Sequence, residues 1–341
     1  MKKTALITGG AGQDGSYLAS FLLKKNYRVV LADRRNSRAD NWRHKFLGIE
    51  NHLIYEDFDL ADFDSIFRIF KKFKFDEVYN LAAQSFVKSS FETPISTSDI
   101  TGLGALRILE VIRITNKKIK FYQASSSEMI GNTFSKIQNE KAILNPRSPY
   151  AIAKVFAHNI TKNYRDSYNM FACSGILFNH ESPLRGEEFV TRKISKGLCE
   201  IKLNKKKLLE LGNLDSKRDW GFAGDYVEGM WKMLQYKKPD DYVLATNKAY
   251  SVRDFINLSC DILKIKIKWI GKGKKEKAID LSTKKIIIKI NSKYYRPSEV
   301  HFLKGDYNKA KKTLRWRPKV LFKDLVKMMI EEDLKRLRKE K

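Results

Sequence analysis

A cluster of glycines between an apolar run and an amphipathic segment constrains the fold more than any other feature of the sequence. Residues 4–8 are apolar and β-branched, Gly9, Gly12 and Gly15 follow, and the apolar residues of 17–24 recur at helical spacing. This order predicts a strand, a tight turn and a helix, in which the glycines let the backbone approach a pyrophosphate at the helix N-terminus. The sequence therefore favours a dinucleotide-binding unit at the start of the chain.

Strand-like and helix-like segments continue to alternate up to about residue 180. Further candidate strands lie at 28–32, 53–55, 77–81, 120–124 and 172–178, and candidate helices at 63–73, 103–114 and 148–164. This alternation predicts the α/β class, with a Rossmann-type, doubly wound parallel sheet that binds ligands beyond the carboxyl ends of its strands. We expect residues 1–180 to form the dinucleotide-binding domain. Residues 181–341 should form mainly a smaller, mixed α/β substrate-binding domain, with some segments returning to the main sheet.

Composition and charge indicate a globular protein with a small anionic ligand. Hydrophobic residues make up 43% of the 341 residues, and no apolar stretch is long enough for a transmembrane helix or a signal peptide. We therefore expect a cytoplasmic protein with no membrane partner. The net charge of +28 comes from lysines along the whole chain, without an RNA-binding motif. It predicts no nucleic-acid partner but suits a polyanionic small molecule.

The three cysteines do not form a metal-binding pattern. Cys173, Cys199 and Cys260 are scattered and lack the spacing of metal ligands. We expect each to be a small apolar residue in a reducing compartment, and we predict no metal site.

Charges of both signs follow the second candidate strand, where an adenosine ribose would lie. Asp33 would favour NAD, whereas Arg34 and Arg35 could pair with the 2′-phosphate of NADP. The alternative is an ordinary solvated turn. The arginine pair favours NADP, with NAD less favoured.

A possible catalytic constellation spans the end of the fifth candidate strand and the following helix. Tyr150 and Lys154 are four residues apart and so share a helix face, where the ammonium should lower the pKa of the phenol. The preceding strand ends in a serine run with Ser126, and Glu128 follows. A dehydratase needs such an additional acid and base. The alternatives are an exposed Tyr–Lys pair and a carboxylate that stabilises a helix start.

These residues belong to a resemblance that covers residues 8–334. The chain resembles the GDP-mannose 4,6-dehydratase family of the extended short-chain dehydrogenases/reductases, most specifically at 12–18 (GQDGSYL), 79–87 (YNLAAQSFV), 122–129 (YQASSSEM), 146–154 (PRSPYAIAK), 175–194 (GILFNHESPLRGEEFVTRKI), 211–231 (LGNLDSKRDWGFAGDYVEGMW) and 294–300 (YYRPSEV). The resemblance implies a lyase that oxidises C4 of GDP-mannose transiently, eliminates water across C5 and C6, and returns the hydride to C6. The implied product is GDP-4-keto-6-deoxy-D-mannose, a precursor of GDP-fucose or GDP-rhamnose.

The resemblance also implies roles for individual residues. Tyr150 would take the proton of the 4-hydroxyl, Ser126 would hydrogen-bond O4, Glu128 would remove the C5 proton, and Lys154 would support Tyr150 and hold the nicotinamide ribose. The implied cofactor-binding residues are Gly9, Gly12, Gln13, Asp14, Gly15, Arg34, Arg35, Asp59, Leu60, Leu81, Ala82, Ala83, Ser85, Tyr150, Lys154, Leu177, Asn179, His180 and Arg185. The implied substrate-binding residues are Ser85, Ser126, Glu128, Asn179, Val190, Lys193, Gly212, Arg218, Arg296 and Glu299.

Other consequences of the resemblance concern assembly and departures from the family. The loop from Arg34 to Arg43 resembles one that crosses to a neighbouring subunit, which implies a homo-oligomer, either a tetramer or a dimer. Ser126 stands where the family usually has threonine, and Asp33 where relatives have a neutral residue. Ile130 replaces an aromatic residue and is expected near the active site, where it would loosen the sugar pocket.

Three alternative functions remain open at this point. A looser pocket would suit another GDP-sugar, such as a GDP-manno-heptose. The same fold also serves nucleotide-sugar reductases and epimerases, although Glu128 argues against them. A catalytically inert RNA-binding protein is the third alternative. It is disfavoured because Ser126, Tyr150 and Lys154 are present together with Glu128.

Overall fold

The computed structural model describes residues 2–34, 41–133, 135 and 137–339. The strands lie at β1 (Thr4–Thr8), β2 (Arg28–Asp33), β3 (Ile54–Asp57), β4 (Glu77–Asn80), β5 (Lys120–Ser126), β6 (Ala172–Leu177), β7 (His180–Glu181), β8 (Leu209–Leu211), β9 (Lys217–Arg218), β10 (Gly221–Phe222), β11 (Asp241–Leu244), β12 (Tyr250–Ser251), β13 (Ile267–Ile270), β14 (Lys277–Asp280) and β15 (Ile286–Ile290). The helices lie at α1 (Gln13–Lys24), α2 (Trp42–Leu47), α3 (Phe63–Lys72), α4 (Val87–Glu92), α5 (Pro94–Ser98), α6 (Gly104–Thr115), α7 (Pro149–Tyr168), α8 (Val190–Lys202), α9 (Ala223–Gln235), α10 (Val252–Ile262), α11 (Asn308–Leu314) and α12 (Phe322–Lys339).

The main sheet is parallel and doubly wound. Among the described residues it has seven strands in the order β11-β6-β5-β4-β1-β2-β3. The order reverses between β1 and β4, and a crevice for ligands forms at such a reversal. The predicted fold class is therefore confirmed.

A segment from the second half of the chain completes this sheet. Strand β11 pairs in parallel with β6, with Tyr242 opposite Gly175. Helix α9 packs on the same sheet through Tyr226 and Met230, which lie in the core cluster around Leu18 and Tyr122. The edge of the main sheet is thus built from residues that follow β6 by more than sixty positions.

The turn after β1 depends on close backbone packing. Gly9 has a φ of +69°, and a Cβ placed there would lie 2.8 Å from the backbone of Ala82. A Cβ at Gly15 would lie 2.4 Å from the carbonyl oxygen of Gly9. These contacts bring the start of α1 against the ends of β1 and β4 and fix the phosphate-side wall of the crevice.

A second core lies beneath helices α8, α10 and α12. It includes Leu198, Phe255, Met329 and the buried Trp220, and the sheet β13-β14-β15-β8 covers one side of it. This part of the molecule carries the wall of the crevice opposite the strand ends.

The three cysteines are buried and free. Cys173 packs in the core of the main sheet, and Cys199 and Cys260 pack in the second core. The prediction that they fill space in apolar surroundings is confirmed.

Within the described residues, no helix combines the length and the apolar character that crossing a bilayer requires.

Candidate active site

A cavity of about 670 Å³ lies where the strand ends of the main sheet face α8 and the segment that precedes Val300. Ser126 and Tyr150 line it from the sheet side, and Lys193, Arg218 and Arg296 line it from the other side. Its volume lies within the usual range of sites for small ligands.

Helix α7 and strand β5 hold the three residues of the predicted Ser–Tyr–Lys constellation. The hydroxyl of Ser148 caps α7 by accepting a hydrogen bond from the backbone N–H of Ala151 at 3.2 Å. Lys154, one turn after Tyr150, donates from Nζ to the carbonyl oxygen of Ala124 at 2.7 Å. Ser126, at the end of β5, accepts from the N–H of Glu128 at 3.2 Å. The hydrogen bond from Lys154 to Ala124 therefore joins helix α7 directly to the end of strand β5 at the wall of the cavity.

The electrostatics of the tyrosine differ from the sequence-based expectation. Burial raises the pKa of Tyr150 to about 12, against a smaller opposing effect of the Ser126 hydroxyl. Burial also lowers the pKa of Lys154 to about 8. The net shift of the Tyr150 pKa is thus upward, not downward as the spacing with Lys154 alone predicts, because desolvation of the phenolate outweighs the lowering effects of Ser126 and Arg185.

Glu128 faces two arginines across the cavity. Its Oε1 lies 3.5 Å from Nη1 of Arg296 and 4.0 Å from Nε of Arg218. Arg218 also lies 3.5 Å from Oε1 of Glu299. Burial lowers the pKa of the Arg218 guanidinium, with Glu128 and Glu299 opposing that effect. The predicted acid–base residue thus lies beside two predicted substrate-binding arginines.

A hydrogen-bonded pair of His180 and Asp14 lines the cavity next to the glycine turn. His180 shares a hydrogen bond of 2.7 Å with Asp14 through Nε2 and one of 2.7 Å with the carbonyl oxygen of Phe178 through Nδ1. Burial would lower the pKa of His180, but the Asp14 carboxylate outweighs it and raises the pKa. Asp14, on the first turn of α1, is thereby fixed next to the glycine turn.

The last residue of β2, Asp33, contacts the backbone of the glycine turn. The Asp33 carboxylate is buried and accepts a hydrogen bond from the N–H of Ala11 at 3.0 Å. Arg34 is exposed, and Arg35 lies outside the described residues. Asp33 therefore supports the turn, a role that its position in the sequence did not reveal.

Most of the predicted site residues meet in this cavity. Those that line it are Asp14, Leu81, Ala83, Ser85, Ser126, Glu128, Tyr150, Lys154, Leu177, Asn179, His180, Arg185, Val190, Lys193, Gly212, Arg218, Arg296 and Glu299. The lining does not include Gly9, Gly12, Gln13, Gly15, Arg34, Asp59, Leu60 or Ala82. Of these, Leu60 is buried against Gly104 rather than facing the cavity.

Ile130 does not lie in the sugar pocket. It is fully buried in a cluster with Met129, Phe178 and Val243, and it is absent from the cavity lining. The prediction that it loosens the active site is wrong, because the chain turns away from the cavity after Glu128. The sequence-based reason for a GDP-heptose substrate is thereby removed.

Sequence reasoning missed a tyrosine surrounded by lysines at the cavity. Nζ of Lys193 lies 3.3 Å from the ring centroid of Tyr294, and Lys88 and Lys293 lie 6.0 and 5.0 Å from it. Lys88 also donates to the carbonyl oxygen of Lys293 at 3.2 Å. Tyr294 stands two positions before Arg296, a predicted substrate-binding residue. This closeness in sequence could have identified Tyr294 as a further candidate.

The residues present fit a nicotinamide dinucleotide. The glycine turn leaves no room for side chains between β1 and α1, as a pyrophosphate-binding turn requires. Oδ1 of Asn179 is buried at the cavity and has no hydrogen-bond partner within the described part of the chain. The described residues contain no cluster of three or more histidine, cysteine or acidic side chains that could hold a metal ion.

Comparison with known sequences gives a match over nearly the whole chain. The sequence model of a family described as GDP-mannose 4,6 dehydratase matches residues 6–329. The chain is 48% identical over 347 residues to GDP-mannose 4,6 dehydratase of Drosophila melanogaster, which covers 99% of this chain and 87% of that protein. It is 47% identical over 350 residues to GDP-mannose 4,6 dehydratase 1 of Arabidopsis thaliana, with 100% and 92% covered.

Comparison with solved structures supports the fold. The structure of dTDP-glucose 4,6-dehydratase from Bacillus anthracis in complex with NAD superposes with a TM-score of 0.81 at 18% identity. The match covers 98% of each chain.

Proposed function

This chain belongs to the GDP-mannose 4,6-dehydratase family, and on that premise we propose how its cavity performs the reaction of a hydro-lyase. The reaction converts GDP-D-mannose into GDP-4-keto-6-deoxy-D-mannose and water. The observation that carries the proposal is the convergence of Ser126, Glu128, Tyr150 and Lys154 on one cavity.

The first step belongs to the Ser–Tyr–Lys group. A bound nicotinamide cofactor supplies a hydride acceptor for C4 and later returns that hydride to C6. Tyr150 takes the proton of the 4-hydroxyl, and Ser126 hydrogen-bonds O4 so that the hydroxyl points at Tyr150. Lys154 favours the phenolate while it remains protonated. Its hydrogen bond to Ala124 holds its ammonium beside Tyr150.

The elimination belongs to Glu128. Once C4 is a ketone, the C5 proton is acidified, and the Glu128 carboxylate removes it. The same proton then goes to the C6 hydroxyl, which leaves as water and creates a C5–C6 double bond. The hydride then goes to C6, and the proton that Tyr150 took from the 4-hydroxyl goes to C5, so that Tyr150 and the cofactor are both restored and only water is lost. A single carboxyl group thus serves as base and as acid.

The nucleotide is held by the wall opposite the strand ends. Arg218 and Arg296 suit the diphosphate because guanidinium groups pair with two oxygens at once. Val190, Lys193 and Gly212 line the space beyond them, and Glu299 is an acceptor for the ribose hydroxyls. Ser85 and Asn179 lie between the sugar and the nicotinamide.

We propose NADP as the cofactor, with Arg34 and Arg35 at its 2′-phosphate. The Asp33 carboxylate, which otherwise would favour NAD, is turned toward the N–H of Ala11. Replacing Arg34 with Ala should weaken NADP⁺ binding by about tenfold, the value of one lost contact of about 1.4 kcal/mol, and leave NAD⁺ binding unchanged. Equal losses for both cofactors in a fluorescence titration would exclude this role.

We also propose that the enzyme works in the cytoplasm and that it is a homo-oligomer. Ile152 and Phe156 on α7 and Ile95 on α5 are exposed, although α5 and α7 pack against each other. A second copy of the chain would cover such an apolar surface.

The reaction is tested by mass spectrometry. Purified protein is incubated with GDP-mannose alone and then with NADP⁺ or NAD⁺. We expect loss of one water without net reduction of the nicotinamide, and no loss of water with Glu128→Gln. Unchanged GDP-mannose under every condition would contradict the proposed reaction.

A further inference from the structure

Four charged side chains at the cavity form one connected group. Glu128 contacts Arg296 at 3.5 Å and Arg218 at 4.0 Å, and Arg218 contacts Glu299 at 3.5 Å. We call Glu128, Glu299, Arg218 and Arg296 the quartet. Glu128 and Arg218 are both more than nine-tenths buried, so little water compensates their charges.

The ion pairs of the quartet are long. Charge-assisted hydrogen bonds between guanidinium and carboxylate groups usually measure about 2.7–2.9 Å. The same chain contains pairs of that kind, since Arg165 binds Asp241 through two bonds of 2.9 Å and Arg192 lies 2.7 Å from Asp333. The quartet is therefore loosely paired, although the side chains of Arg218 and Glu128 are about as buried as those of Arg165 and Asp241.

Charge balance shows what binding of the substrate requires. Two guanidinium groups and two carboxylates sum to zero, so the quartet as it stands offers a diphosphate no net attraction. A buried diphosphate needs paired positive charge. Lysines such as Lys193 also line the cavity, but the two guanidinium forks can each pair with phosphate oxygens only if they turn away from the carboxylates.

We propose that Arg218 and Arg296 restrain Glu128 in the free enzyme and exchange it for the diphosphate when the nucleotide sugar binds. The inference rests on the proposed function, because it takes a diphosphate as the group that enters. Exchange frees the Glu128 carboxylate from its two cations when C5 and C6 of the sugar are in place. The diphosphate, which takes no part in the chemistry, thereby makes the acid–base residue available.

Calorimetry with GDP, which lacks the sugar, tests the exchange without requiring turnover. In the wild type, GDP must displace Glu128 from the arginines, whereas in Glu128→Gln the carboxylate no longer competes. We expect this variant to bind GDP about fivefold more tightly or better, as for coupled sites. Guanosine, which has no phosphate, should bind both proteins equally.

Glu188→Gln is the matched control, because Glu188 also lines the cavity but has an exposed side chain outside the quartet. It should change GDP affinity by less than about twofold, well below that coupling. Unchanged or weaker GDP binding by Glu128→Gln would overturn the exchange, as would equal tightening in Glu188→Gln, which indicates general repulsion. Failure of the wild type to bind GDP would instead overturn the proposed substrate, and the exchange with it. Thermal unfolding of each variant verifies that it is folded.

Discussion

In the proposed mechanism, Tyr150 and Lys154 should set the alkaline limit of the reaction. Burial lowers the pKa of Lys154 to about 8, so in the free protein its positive charge is present below that pH and is lost above it. Because Tyr150 depends on this charge to ionise, we expect kcat/KM to fall as the pH rises through about 8. The measurement is the pH profile of kcat/KM under substrate-limited conditions.

Variants of the same helix identify the group that titrates. Lys154→Arg keeps its charge at any accessible pH, so the alkaline fall should move upward even if the rate is lower. Lys162→Arg on the exposed face of α7 is the control and should leave the profile unchanged. A fall near pH 8 that persists in Lys154→Arg would assign the titration to another group.

At the residue scale, the sequence named many residues that the structure brings together in one cavity, but it did not reveal several of their environments. Tyr150 and Lys154 were found because their spacing along one helix is local information. The pKa of Tyr150 depends on how much protein covers the ring, and the burial of Ile130 depends on packing against Phe178 and Val243. Neither quantity is encoded in short-range spacing.

At the scale of elements, the close packing of the first turn of α1 on the glycine turn gives a sharp test of cofactor binding. In Gly15→Ala the new Cβ would lie 2.4 Å from the carbonyl oxygen of Gly9 and 2.6 Å from Cα of Gly10. Both are backbone atoms, so the turn itself must move. We expect NADPH affinity to fall at least about tenfold, or about 1.4 kcal/mol, in a fluorescence titration.

Gly48→Ala separates this effect from ordinary backbone strain. Gly48 has a φ of +64°, but a Cβ there would meet nothing within 4 Å. The substitution should cost about 1–2 kcal/mol of folding free energy without changing NADPH affinity. Similar NADPH affinities for Gly15→Ala and the wild type would contradict the role of the turn.

The connection between α7 and β11 should contribute strongly to stability. Arg165 on α7 binds the carboxylate of Asp241 on β11 through two bonds of 2.9 Å. Arg165→Ala leaves this mostly buried carboxylate without its ion-pair partner and with the N–H of Ser174 as a donor, which should cost about 3 kcal/mol in urea unfolding at pH 7. Arg113→Ala, which removes the more exposed pair with Glu110 on the surface of α6, should cost less.

The sign of the pH dependence follows from the same pair. Burial alone would raise the pKa of Asp241, but Arg165 outweighs burial and lowers it. The stabilisation is therefore complete above the unfolded pKa of about 4 and is lost as the pH falls through the lowered folded value. An equal cost of Arg165→Ala at pH 7 and at acid pH would contradict this assignment.

Long elements with a clear period could be predicted, and short or distant ones could not. Strands β1, β2 and β4 and helices α3 and α6 agree with the sequence pattern to within one residue at each end. Strand β13 and the two-residue strands were not predicted. A segment of two to four residues is too short to show the alternation of apolar and polar residues that identifies a strand. The arginine–carboxylate contacts of the quartet join residues more than eighty positions apart, which no local pattern reports.

At the scale of the whole molecule, the exposed apolar surface of α5 and α7 should bury itself against a second copy. Ile152 is 57% exposed and Phe156 is 40% exposed, one turn apart on α7. Sedimentation equilibrium of the wild type should give a multiple of 39.7 kDa. The double variant Ile152→Glu/Phe156→Glu should give a smaller species, because charges cannot be buried unpaired in the interface.

Ile143→Glu is the control for added charge on an exposed residue. Ile143 is 82% exposed but lies outside the helices and strands. Its substitution should leave the mass unchanged. A monomeric wild type, or an unchanged mass for the α7 double variant, would contradict this interface.

The late entry of β11 into the main sheet has a consequence for synthesis on the ribosome. Strand β6 ends at Leu177 and its partner β11 ends at Leu244, which is 67 residues later. At about 5–20 residues per second, the open side of β6 waits about 3–13 s for its partner. During that interval the nascent chain presents an unpaired strand edge, to which another unfinished chain could add. Chaperones that bind nascent chains should therefore matter most while residues 178–244 are being made, and a shortened chain that stops at residue 180 should aggregate rather than fold.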